Sequence, residues 1–78
     1  MTKQDQYLGG MMSRMKAERL RRRWTQTRLG ARADLSASDI SRIETGRLRP
    51  YPHQTARLSK VLGLLPEELL EPVGVSPS

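Results

Sequence analysis

Ala37, Ser38, Ser41, Arg42 and Thr45 fall on one side of a short segment wound at about 100° per residue, and Ile40 and Ile43 fall on the other, with Glu44 on the flank. Four small side chains and one long arginine can approach a flat, grooved partner closely. The bland alternative is the solvated face of an ordinary helical pair. Such residues supply hydrogen bonds and charge, not bond making. The chain has no Cys, and its one histidine, His53, has no orienting acid or ligand-spaced neighbour in sequence. No Gly-rich phosphate loop and no metal-ligand cluster is present. The sequence therefore predicts a binding protein rather than an enzyme, with no cofactor and no metal.

Two short helices joined by a tight turn must position that face, and both open on a similar device. Thr25 caps the first, with Trp24 before it and Leu29 placed to meet that ring across the cap. Ser36 caps the second, with Leu35 and Ile40 in the same two places and Asp39 three residues on, as in a capping box. Arg28 takes that third position in the first helix, which makes its cap the weaker. Asp34-Leu35 between them is too short for anything but a sharp reversal.

The run TQxxLG…LSxSxISRIExG, from Thr25 to Gly46, resembles the helix-turn-helix of the phage repressor and Cro-like (XRE-type) DNA-binding regulators of bacteria and phages. Gly46-Arg47-Leu48-Arg49-Pro50 resembles that family's usual sequel, a basic residue and Pro before an amphipathic helix. The resemblance covers roughly Met15 to Leu70. It implies an all-α, compact five-helix lambda-repressor-like domain whose helices 2 and 3 form the helix-turn-helix.

The resemblance also implies roles. Ala37, Ser38, Ser41 and Arg42 match base-contacting positions, and an Arg can grip guanine O6 and N7 with two bonds in a major groove wide enough for a helix. Gln26 matches a phosphate contact that can also brace the reading helix. Thr45, Gly46, Arg47 and Arg49 match a backbone clamp, with Gly46 at a left-handed helix end and its amide facing outward. Arg19 lies inside an apolar stripe with Met12, Met15 and Leu20, so it needs an acid. The family pairs an Arg and a Glu at these positions, here Arg19 and Glu44; the alternative is a snorkelling Arg19 and a solvated Glu44. Three departures are visible: Arg23 stands where the family often has Gly, Gly30 where it prefers Ala, and Asp34 where it usually has Gly.

Seventy-eight residues allow one small domain with an aliphatic core, Phe being absent. Thirteen of the fourteen Lys and Arg lie between Arg14 and Lys60 beside only four acids, so this body is strongly basic, while Glu67, Glu68 and Glu71 make the C-terminal end acidic. A basic, Arg-rich body favours a polyanion. Double-stranded DNA suits it better than a membrane surface, because the apolar helical faces are spent on a core. The absence of Cys, of a membrane-length apolar run and of a signal-peptide pattern predicts a cytoplasmic location.

In chain order, residues 1–10 are expected to form a flexible arm, with a minor-groove arm as the alternative. Residues 11–71 form the helix-turn-helix domain and residues 72–78 a flexible tail. Helix 1 is expected over Met12–Arg22, closed by Arg21, Arg22 and Arg23. Helix 4 runs from Pro52 to about Leu62 and ends at Gly63, and a short fifth helix spans Glu67 to Leu70 behind Pro66. Leu64, Leu65, Leu69, Leu70 and Val73 exceed what that helix needs, and are expected to form a homodimer seam or else to cover the core. The function expected is a sequence-specific transcription regulator, a homodimeric repressor on a palindromic operator. The alternative is an antitoxin-type module that binds a toxin partner and autoregulates its operon.

Overall fold

A computed structural model describes Tyr7 and residues 10–74. The expected arm therefore lies outside the described residues except at Tyr7 and Gly10, and the tail after Gly74 lies outside them too. The order of elements is β1 (Met11–Ser13), α1 (Arg14–Arg21), α2 (Gln26–Ala33), α3 (Ala37–Glu44), α4 (Pro52–Leu62), a single 3-10 turn (Pro66–Glu68) and β2 (Pro72–Gly74).

Side-chain caps start the first three helices. Ser13 Oγ accepts from the Lys16 amide, Thr25 Oγ1 from Arg28 and Ser36 Oγ from Asp39, at 3.2, 3.0 and 3.0 Å. At α4 the Gln54 side chain accepts from the Tyr51 amide at 2.8 Å, and Pro52 needs no amide partner in the first turn. Met15, Leu29, Ala33, Ile40, Ile43, Leu58, Leu62 and Leu69 form the core, with Trp24, Leu35, Leu48, Val61, Leu64 and Leu70 packed on its margin.

Two expectations about elements are corrected. Four α-helices are present among the described residues, and the predicted fifth is only the 3-10 turn. Pro66 and the Glu68 carboxylate, which accepts from the Leu65 amide at 2.8 Å, repeat the device that opens α4, but the backbone bonds that follow reach back only three residues, Leu69 to Pro66 and Glu71 to Glu68, before the chain enters β2. At the other end the chain from Met11 to Ser13 is strand, so α1 begins at Arg14 and not at Met12. Its strand partner is Pro72–Gly74, the first three residues of the expected flexible tail, in antiparallel register with Met12 opposite Val73. The Arg14 amide bonds the Glu71 carbonyl at 2.8 Å and the Met15 amide the Leu69 carbonyl at 2.9 Å. The segments that flank the helices on either side thus satisfy their backbone against each other.

The helix-turn-helix is the tightest joint. Asp34 takes the left-handed conformation, with φ 60°, and the Leu35 amide bonds the Gly30 carbonyl at 2.8 Å. A Cβ on Gly30 would sit 2.3 Å from the Leu35 carbonyl oxygen, so glycine here is a steric requirement. Arg57 on α4 supports the turn from outside, 3.2 Å from the Asp34 carboxylate. Arg23 is also left-handed, with φ 60°, at the end of α1.

Candidate nucleic-acid interface

Ser38 and Arg42 are exposed and Ala37 and Ser41 half-buried, all turned away from Ile40 and Ile43, which are fully buried. The outward side of α3 is therefore open along two turns, with small side chains around a single long one. Arg42 does not hang free. Its Nη2 lies 3.4 Å from Asp39 Oδ1, one turn back on the flank between Arg42 and Ile43. Asp39 thus turns its carboxylate forward to Arg42; the reciprocal half of the expected capping box, a bond back to the Ser36 amide, is not formed.

Beneath this face lies a buried ion pair. Arg19 Nε donates to Glu44 Oε2 at 2.7 Å and Nη2 to Oε1 at 3.2 Å, while Nη1 donates to the Trp24 carbonyl at 2.8 Å. Arg19 is 6% exposed and Glu44 1%. The two-pronged geometry offsets the desolvation of both charges. It also fixes α3 to α1 and to the loop before α2. Gln26 joins from the start of α2, its Nε2 donating to Glu44 Oε1 at 3.1 Å. One amide hydrogen of Gln26 is therefore spent bracing the reading helix.

The segment after α3 behaves differently from what its sequence suggests. The Thr45 hydroxyl turns back onto the carbonyls of Ser41 and Arg42, at 3.2 and 3.3 Å. The Gly46 amide, expected to face outward, instead donates to the Ile43 carbonyl at 3.1 Å, with Gly46 at φ 81°. The amides of Arg47 and Leu48 both donate to the Arg42 carbonyl. These donors close the helix end, and the exposed side chains of Arg47 and Arg49 stand just beyond it. Neither has an acid partner among the described residues.

A staple that the sequence did not reveal ties α1 to α4. Arg22 donates to the carbonyls of Val61 and Leu62 at 3.2 and 3.0 Å, where α4 leaves its last carbonyls unpaired, and to Glu18 at 2.7 Å. Its guanidinium also lies 5.1 Å from the Trp24 ring, whose neighbour at 4.7 Å is Arg32. The Arg21 guanidinium bonded to Glu18, with Arg22 beside it, holds the Glu18 carboxyl down at about 2.

The expected dimer-seam leucines do not share one surface. Leu69 is a core residue, 2% exposed, and has nothing to offer a partner; it is removed from that set. Leu64 is half-buried against the core, Leu65 is 56% exposed, and Leu70 lines an open groove of about 530 Å³ with Arg49, Pro50, Pro52, Thr55, Ala56 and Pro66.

No helix among the described residues is long and apolar enough to cross a membrane, and no group of three or more His, Cys, Asp or Glu among them could hold a metal ion. A family model described as helix-turn-helix domain matches residues 13–73, which takes in every element from the end of β1 into β2. No curated protein and no solved structure matches the chain.

Proposed function

The chain belongs to the helix-turn-helix domain family, and we propose that it is a sequence-specific DNA-binding transcription regulator of the phage repressor and Cro-like type, acting as a homodimer in the cytoplasm. The observation that carries this is the open face of α3, with Ser38, Ser41 and Arg42 turned outward over a bidentate buried brace. A helix presented this way fits the major groove of B-form DNA. Arg42 reads guanine. Ser38 and Ser41 supply hydroxyls to bases or phosphates, and Ala37 offers a methyl contact to thymine. Arg47, Arg49 and the remaining amide hydrogen of Gln26 hold phosphates beside it.

Homodimerisation is proposed through the exposed Leu65 and the groove that Leu70 lines. Two-fold pairing sets half-sites about 34 Å apart, one helical turn of DNA. Repression is the sign proposed, by occupation of a promoter.

Selection of binding duplexes from a random pool tests the DNA assignment. The expected outcome is one enriched inverted repeat. Arg42→Ala should then lose about 1–3 kcal/mol on that duplex and relax one position of the site. Arg49→Ala should weaken all duplexes alike and lower the salt slope by about 0.9. A pool that stays random after selection would refute the assignment. A monomer that binds one-to-one in sedimentation would refute the pairing alone.

A further inference from the structure

We propose that Asp39 is a specificity-determining residue of the reading helix, which holds the Arg42 guanidinium so that the pair reads a G·C base pair and is a poor ligand for phosphate. This rests on the DNA-reading function proposed above.

Asp39 and Arg42 are the only charged residues of α3 besides Glu44, and Glu44 is buried against Arg19. The charges of α3 that are not buried, Asp39 and Arg42, therefore sum to zero, although the chain as a whole is +6. Two of the cations without acid partners among the described residues, Arg47 and Arg49, stand in the segment that follows it. Charge and sequence reading are thus divided between neighbouring stretches of the chain. A phosphate is gripped by charge, and a carboxylate 3.4 Å from the guanidinium offsets that charge at longer range. A base edge is gripped by the geometry of particular N–H groups. An arginine has five N–H donors, and Asp39 engages one nitrogen of the fork. The other donors have no partner among the described residues and are available to guanine O6 and N7.

The carboxylate then has a second use. It is a half-buried acceptor at the edge of the reading face, suited to the cytosine N4 amine and repelled by base edges that present only acceptors, as it is by the phosphates. It adds a penalty against wrong seating as well as a contact with the right site. The bond back to the Ser36 amide that would complete a capping box is absent.

The test measures wild type, Asp39→Asn, Arg42→Ala and the double variant, over a salt series, on the selected duplex and on a scrambled one. Circular dichroism and thermal melting check that each variant is folded, and Asp39→Ser serves as a second substitution. Asp39→Asn should tighten scrambled-duplex binding about three- to fivefold and steepen the log–log salt slope by up to about 0.9. Its ratio of selected to scrambled affinity should fall about tenfold. In the Arg42→Ala background, removing Asp39 should leave that ratio where it is. An unchanged ratio for Asp39→Asn and Asp39→Ser, or an equal fall with and without Arg42, overturns the inference while the DNA assignment stands. If wild type itself selects no sequence, both fall together.

Discussion

An arginine in the apolar stripe of helix 1 is the residue whose sequence context told most about the interior. Buried cations need acids, and Glu44 is the one on the inner flank of the reading helix; the two meet with 2.7 and 3.2 Å bonds. What spacing could not give was the third bond, to the Trp24 carbonyl, because it depends on how the loop bends back. Removing one member should cost about 3–5 kcal/mol, since the other is left charged and unpaired in the core. Urea unfolding of Arg19→Ala and Glu44→Ala should each show that loss, and a midpoint unchanged from wild type would contradict it. Glu18 supplies a pH-dependent companion. Its folded value lies below the unfolded one, so its contribution is complete above about 4.5 and lost as pH falls towards about 2. Thermal melting of Glu18→Gln across that window should show a flatter acid limb than wild type.

The elements were legible in proportion to their local signals. The caps at Thr25 and Ser36, the Pro52 start and the Gly63 end are written in single residues; α2, α3 and α4 begin, and α4 ends, where those residues stand. The strands were not legible, because three residues each are too few for alternation to register and their pairing joins the two ends of the domain. The fifth helix failed for a related reason: acids after a proline signal a first turn, but not whether a second follows. Departures from the family's wording also have distinct structural outcomes. Gly30 is forced, since a Cβ would stand 2.3 Å from the Leu35 carbonyl. Gly30→Ala should therefore open the turn and lower stability by about 1–3 kcal/mol, despite alanine's better helix propensity. Arg23 is strained at φ 60°, and Arg23→Gly should raise the melting temperature by removing about 1 kcal/mol of that strain. A stabilised Gly30→Ala would show that the turn has room the geometry denies.

At the scale of the whole molecule, charge is sorted. The basic body and acidic C-terminal end were visible in the sequence, as was a polyanion as the matching partner. The finer sorting needed the fold: Arg14, Arg19, Arg21, Arg22, Arg42 and Arg57 are paired with acids, while Arg47 and Arg49 have no acid partner among the described residues and stand beside a helix whose unburied charges sum to zero. The proposed seam changed most between sequence and fold, because apolar composition alone could not separate Leu69, which fills the core, from Leu65, which faces outward. The central claim is that the outward side of α3 lies against major-groove base edges with Arg42 on guanine. Methylation protection of guanine N7 on the selected duplex tests it most directly. Wild type should protect one guanine in each half-site, and Arg42→Ala should expose it while the sugar–phosphate footprint persists at raised protein concentration. Protection that survives Arg42→Ala unchanged, or that falls only on adenine N3 in the minor groove, would contradict it.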